Sequence, residues 1–548
     1  MRAICGFGAT NPPLFQQIAR IGIICCIYRA GCFFGSDSQA LYCEPYLRLT
    51  HFDLINMRDN SKEELGLPPD STPESLDSEP HSIFTPIQRR IIVTIVAIAA
   101  TFSAFSSNIY FPAIPSIANN LRVTPESVNL TVTSYLILQG LSPSIWGAIA
   151  DVHGRRVTYI ITFIIYLGAC IGLAETKHFY QLVILRCLQS TGSASTIAIG
   201  AGVVGDITTR EDRGGYLGIY QAGLLSPLAI GPILGGVFSQ TLGWRAIFWF
   251  LTIYSGIVLF VLFFFLPETL RSLVGNGSIA AKGLAGSPIA YIQWRRAVKA
   301  GSADISSPSS TPRKKMPVNI LGPLQMILGM EVTYIIFFLA IAYTAWQVII
   351  TVMSTLFKTT YDLTDLQIGL TFISNGLGCI IGTLTTGKFL DFDCRRVKAN
   401  YTGTPEDFPL ENIWLRTLRL WSGVQCASVI VFGWTLQYHV HIAVPIICTF
   451  FLGWAATSVI STVTTFMVDV FPDQSASATA ALNLVRCLMA AGATAGALPV
   501  INSIGVGWTF TMIFFIKLLS LLLVVLQLRY GAKKRKIREE REKVETEE

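Results

Sequence analysis

The chain has 548 residues, 51% of them hydrophobic and only 14% charged, with a mean hydropathy of +0.52; a water-soluble domain carries about a quarter charged residues, so lipid is the expected solvent. The net charge of +7 is modest, and Lys and Arg fall in loops and tails between apolar runs, which leaves nucleic acid no basic face to bind. The six histidines show no metal-ligand spacing and the twelve cysteines neither a CxxC pair nor a disulfide framework, so no cofactor, no metal and no membrane-enzyme chemistry is expected.

Residues 1–88 read as an N-terminal tail, expected to be disordered and cytoplasmic. Arg58 to Pro80 is acidic, rich in Ser and Pro and almost without aromatics, which describes a solvated segment. Met1 to Asn56 is Cys-rich and aromatic, and its apolar stretch Ile21 to Tyr28 is too short for a span or a signal peptide. The working chain is therefore expected to begin at Met57.

Runs of roughly 20 apolar residues, the length a span needs, follow at about 91–112, 130–150, 157–175, 181–204, 216–239 and 246–266, then at 334–356, 366–390, 418–437, 442–466, 477–500 and 505–528. The pattern predicts an all-α membrane protein of twelve helices in two six-helix bundles, 89–266 and 332–528. Between them, 267–331 is basic and rich in Ser, Gly and Pro, as a cytoplasmic linker is. The even-numbered loops and the charged tail 529–548 carry the basic clusters, and the odd-numbered loops are basic-poor; both termini are expected on the cytoplasmic side.

The second span ends in Gly147-Ala-Ile-Ala-Asp151-Val-His-Gly154-Arg155-Arg156, and the eighth in Gly387-Lys-Phe-Leu-Asp391-Phe-Asp-Cys394-Arg395-Arg396. Both fit G-x-x-x-D-x-x-x-R-R, 240 positions apart. Glycine lets helices approach closely, and the arginines can pair with the aspartate or with neighbouring helix C-termini. One copy is an ordinary basic loop; two at equivalent places point to a duplicated transporter with its site between the halves.

At these residues the chain resembles the major facilitator superfamily, whose signature in this loop is Gly, Asp, Gly, Arg and a basic residue, all present in the first copy. Arg186-Cys-Leu-Gln189-Ser-Thr-Gly192 resembles the family's fourth-helix pattern. Gly231-Pro232-Ile-Leu-Gly235-Gly236 resembles the core of the antiporter motif of twelve-span drug:proton antiporters, although its usual leading glycine is here Pro227. Gly243-Trp244-Arg245, Phe248-Trp249 and Leu266-Pro267-Glu268-Thr269 complete the first half. Ser106-Ser107-Asn108-Ile109-Tyr110-Phe111-Pro112, Gly205-Asp206-Ile207-Thr208 and Asn483-Leu-Val-Arg486-Cys487-Leu488 are similar to the fungal branch of quinidine-resistance, dityrosine and citrate exporters, the citrate type above all. The resemblance runs from about Ile83 to about Gln527. It implies export by alternating access, a plasma-membrane location, a monomer, and protons as a coupling ion.

Ionisable groups inside hydrocarbon are costly, and each is a functional candidate. Arg186 lies in the fourth span, Arg486 in the eleventh and Lys517 in the twelfth, whereas no Asp or Glu falls inside any span. A cavity with buried cations and no carboxylate favours anions, and the planar fork of Arg holds a carboxylate bidentately. An exporter of organic anions such as citrate is expected, with a polyspecific drug:proton antiporter as the alternative. Arg186, Gln189, Asn108, Arg486 and Asn483 are the candidate substrate contacts; the plainer roles are structural, Arg186 bonding backbone carbonyls and Gln189, and Arg486 facing Asn483. Gly147, Asp151, Gly154, Arg155 and Arg156, with Gly387, Asp391, Arg395 and Arg396, are the expected gate. Gly231, Pro232, Gly235 and Gly236 are expected to let helices cross closely at the moving interface.

Overall fold

The computed structural model describes residues 83–209, 212–275, 285–288, 322–328, 332–400, 410–471 and 475–547. The expectations for residues 1–56 lie outside them. Among the described residues twelve helices are 20 residues or longer: α1 (Pro86–Asn108), α2 (Pro125–His153), α3 (Arg155–Ala174), α4 (Phe179–Ile207), α5 (Arg213–Thr241), α6 (Arg245–Phe265), α7 (Thr333–Tyr361), α8 (Asp365–Asn400), α9 (Leu410–Gln437), α10 (Ala443–Val470), α11 (Ser475–Ile504) and α12 (Val506–Glu547). They sit where the apolar runs predict them, and no strand occurs among the described residues.

Local chemistry starts and stops these helices. Thr85 and Gln88 form a capping box at α1, and the Thr124 hydroxyl accepts from the Ser127 N–H at the start of α2, each replacing an orphaned helix-end partner. Gly154, at φ +106°, breaks α2 from α3. Ten of the long helices are apolar enough to cross a membrane; α2 and α9 have the length but not the composition. The reason is visible in their packing. Asn129, Ser142, Ser422 and Gln425 on these two helices are buried within the protein and do not face lipid.

Helices α1–α6 pack mainly among themselves, as do α7–α12, and the halves meet along two seams, α5 on α8 and α2 on α11. The α5/α8 seam is built from backbone: a Cβ on Gly376 would lie 2.5 Å from the Ala229 Cα, and one on Gly236 2.6 Å from the Asp365 carbonyl oxygen. Small residues are what let helices come this close where lipid supplies no hydrophobic drive.

The recorded hydrogen bonds between the halves gather in one half of the molecule's depth, toward the end carrying the 109–124 connection, hereafter the closed end. Asp365, buried at the first residue of α8, accepts from the Ser239 hydroxyl at 2.6 Å and from the Ser116 hydroxyl. The Leu366 N–H donates to Gln240 Oε1 at 3.1 Å, Asn502 Nδ2 to Glu126 Oε1 at 2.7 Å, and Phe111 stacks on Phe372. Deepest of the set, Asn483 Nδ2 donates to the Gln139 carbonyl oxygen at 2.9 Å.

Short helices at Arg271–Val274 and Gly322–Leu328 lie in the segment read as a linker, the second of them against α11. The second signature copy does not break its helix as the first does: α8 continues from Asp365 to Asn400. Position 394 holds Cys where the first copy has Gly154, and only glycine takes a φ near +106° cheaply.

Candidate functional site

Arg186, on α4, is 1% exposed. Its Nη1 donates to the Ser106 carbonyl oxygen of α1 at 2.9 Å and to Gln189 Oε1 at 2.6 Å. The guanidinium lies over the rings of Tyr110, at 4.3 Å, and Tyr135, at 4.4 Å. Desolvated stacking of this kind contributes about 2 kcal/mol per ring. Those rings are themselves fixed, Tyr110 by Thr131 and Tyr135 by the Ser103 carbonyl and Ser193. Gln189 is fully buried and donates to the Cys170 sulfur. Arg186 thus ties α1, α2 and α4 into one unit, the plainer of its two expected roles, while its Nε stays buried without a hydrogen-bond partner.

Arg486, on α11, is only half-buried. Its Nε and Nη2 donate to Asn483 Oδ1 at 3.2 and 2.9 Å, and its guanidinium lies over the Tyr343 ring of α7 at 4.9 Å. Asn483 is the residue that bonds across to Gln139 of α2. Each arginine is thus held against a tyrosine of its own half, Arg186 on Tyr135 and Arg486 on Tyr343. Asn108 lies apart: its Nδ2 donates to the Ala104 carbonyl oxygen and its Cβ is packed against Gly231.

The first signature copy forms a compact ionic cluster at the end opposite the closed one. Arg155 pairs with Asp151 at 2.6 Å and with Asp206 at 3.1 Å, and Arg156 Nη2 donates to the Phe263 carbonyl oxygen near the end of α6. The organising group is Glu268, which follows α6. Its carboxylate accepts from the N–H groups of Arg155 at 2.8 Å, Arg156 at 3.2 Å, Thr269 at 3.0 Å and Leu270 at 3.1 Å. An anion at exposed helix N–H groups is well placed, and a Cβ on Gly154 would collide with it. Gly147 has only Ala198 near its missing Cβ. In the second copy Gly387 has open space around it, Arg396 is exposed, and the side chains of Asp391 and Arg395 lie outside the described ones.

In the antiporter motif, Gly235 meets the carbonyl of Ile109, the residue that caps α1, Gly236 meets Asp365 of α8, and the Pro232 carbonyl oxygen would be 2.5 Å from a Cβ on Gly369 of α8. Helix α5 is thereby sandwiched between its own half and the other, with glycine toward both.

Sequence reasoning missed the tyrosines. Tyr110 and Tyr135 read as ordinary aromatics of apolar spans, and the one available signal was the place of Tyr110 in the Ser106–Pro112 motif. Nothing in the sequence marks the partners of Asp365 and Glu268, Ser239 and Arg155, which are 126 and 113 residues away in the chain.

Residues 96–494 match the model of the Major Facilitator Superfamily. Citrate exporter 1 of Aspergillus niger is 38% identical over 503 residues, covering 89% of this chain and 95% of that protein. The MFS antiporter QDR2 of Candida albicans is 33% identical over 450 residues, covering 80% and 88%. Among solved structures, the human organic anion transporter MFSD10 superposes with a TM-score of 0.52 at 17% identity, over 80% of this chain and all of that one, a likeness of fold. The helical architecture, the signature cluster and these relatives agree: the chain is a multi-pass membrane transporter and belongs to the major facilitator superfamily.

Proposed function

We propose that the protein exports organic anions, citrate or related carboxylates, by alternating access, as a monomer in the plasma membrane with both termini in the cytoplasm. The observation that carries this reading is the charge distribution at mid-depth. Arg186 lies over Tyr135 in one half and Arg486 over Tyr343 in the other, and among the described residues no carboxylate bonds either of them. The similarity to a citrate exporter supports the same class of cargo. Arg486 is the better placed contact. It is half-buried, and its fork is engaged by a neutral amide that a carboxylate can displace. Arg186, caged between rings, contributes positive potential and holds the shape of the first half. With the signature cluster on the cytoplasmic side, the closed end is the outer one, and an exporter loads from the cytoplasm while that end is shut.

Alternating access then follows from the two seams. Release of the Asp365 and Glu126 bonds opens the outer end, while α5 slides between α1 and α8 on its glycines. The test is efflux of radiolabelled citrate and of a cationic dye from cells making the protein. Citrate efflux that falls at least tenfold in Arg486→Ala, with unchanged delivery to the membrane, supports the reading. Dye efflux without citrate efflux replaces it with the drug:proton antiporter, which the likeness to QDR2 keeps in view.

A further inference from the structure

Lys517 is the one fully buried lysine among the described residues. It lies near the middle of the apolar part of α12, and its Nζ has no hydrogen-bond partner. Helices α7 and α9 flank it, and α11, whose one charged residue is Arg486, also packs on α12. The Phe338 ring of α7 lies 4.5 Å from Nζ, and on α9 the Cys426 thiol is the titratable group within electrostatic reach. Helices α9 and α12 run antiparallel, with Gly433 against Phe510 and Gly507 against Trp434, a register that puts Lys517 level with Gln425 and Cys426. Gln425 is buried; its Nε2 donates to the Ala342 carbonyl oxygen of α7 at 2.8 Å, and its Oε1 is unpartnered. Ser422, one turn away on the same face of α9, has a buried hydroxyl that is also unpartnered. The α7/α9/α12 junction thus holds an amine, an amide oxygen and a hydroxyl that have not met, and neither α7 nor α9 presents a charged side chain to the lysine.

Two facts bear on what such an amine does. An ammonium enclosed in hydrocarbon without a counter-charge is strongly disfavoured, whereas a neutral amine there is tolerated. Arg186 and Arg486 cannot lose their protons at accessible pH, but a lysine amine can. Helix α7 also runs from this junction to the closed end, where it packs against the Ile114–Leu121 helix and α2, so a change of spacing at Phe338 is carried along a rigid rod to the seam between the halves.

We propose that Lys517 is the site at which this transporter takes up and releases a proton during its cycle. The amine is neutral in the present conformation. When the junction loosens and admits water, the nitrogen lone pair binds a proton to give the ammonium, with Gln425 Oε1 and the Ser422 oxygen as acceptors; return to the present conformation expels that proton to water. The proposal rests on alternating access and not on the identity of the cargo. It gives a transporter whose spans carry aspartate only at their ends a mid-span group that can cycle a proton.

The experiment needs no substrate. Spin labels are placed at Asn119→Cys and Ser503→Cys, exposed positions in opposite halves at the closed end, in the full chain freed of reactive native cysteines and reconstituted in lipid nanodiscs. Distance distributions are recorded from pH 5.5 to 8.5 with Lys517, with Lys517→Met and with Lys517→Gln. The Asp365 and Glu126 carboxylates at that end are the same in all three backgrounds. With Lys517 the ratio of long to short distances rises as pH falls, by up to about tenfold per pH unit for a single linked proton; both substitutions remove that component. The glutamine variant guards against a packing defect peculiar to methionine. Identical pH profiles in the three backgrounds overturn the proposal. Asp365→Ala serves as a control: if it lengthens the distance while pH does not act through Lys517, alternating access stands and the proton site falls, and a single distance in every sample overturns both.

Discussion

Asp365 holds the closed end shut, and its removal has a calculable effect. Its buried carboxylate accepts hydroxyls from Ser239 and Ser116, both in the other half. A hydrogen bond to a charged group contributes about 1.5–3 kcal/mol. Both hydroxyls can turn to water once the end opens, so the lower figure applies to each. Asp365→Ala therefore costs the closed conformation about 3 kcal/mol, a shift of roughly 150-fold in the open:closed ratio. Asp365→Asn keeps one acceptor oxygen and should fall between. The assay is a cysteine pair at Thr133 and Thr494, whose hydroxyl oxygens face each other across α2 and α11 at 3.4 Å, in a background without the other cysteines. Oxidative cross-linking should be fast in the parent, slower in Asp365→Asn and slowest in Asp365→Ala. Equal rates in all three would show that the buried carboxylate does not restrain the seam.

Other substitutions separate packing from charge. Gly236→Ala drives a Cβ toward the Asp365 carbonyl oxygen and should slow the same cross-link, whereas Gly235→Ala strikes Ile109 within one half and should lower thermal stability by about 1–3 kcal/mol. Glu268→Ala strips four N–H groups of their acceptor and should cost about 3–5 kcal/mol in thermal unfolding; Asp151→Asn, at an exposed pair where Arg155 keeps Asp206, should cost less than about 1 kcal/mol. Arg186→Lys keeps the charge but loses the planar stack between Tyr110 and Tyr135 and should be destabilised in the same measurement by about 2 kcal/mol.

The long helices were legible because lipid forces apolar runs of fixed length, and the repeat was legible because glycine, aspartate and arginine serve a helix end in a fixed local order. The limits of that reading are equally physical. Span α2 is polar on its buried face, at Asn129 and Ser142, so its composition alone understates it. Arg186, Gln189, Asn483 and Arg486 could be picked out as costly groups in hydrocarbon, and the structure places each arginine against an amide three residues away. The rings that cage them could not be picked out, because Tyr110, Tyr135 and Tyr343 meet the arginines only through the packing of α1, α2 and α7. Glu268 reads as a helix-end acid until the first turn of α3 is brought to it.

The two copies of the signature diverge at one residue, and the divergence has a mechanical meaning. With glycine at position 154 the first half has a joint at the end of α2, clamped by Glu268. With cysteine at 394, α8 is an unbroken helix of 36 residues, about 54 Å long at 1.5 Å per residue. One half is a jointed anchor and the other carries a lever. Under the proposed alternating access, a tilt about the glycine seam at the closed end of α8 is magnified along that length, so a small rotation where Gly236 meets Asp365 becomes a larger displacement at the far tip.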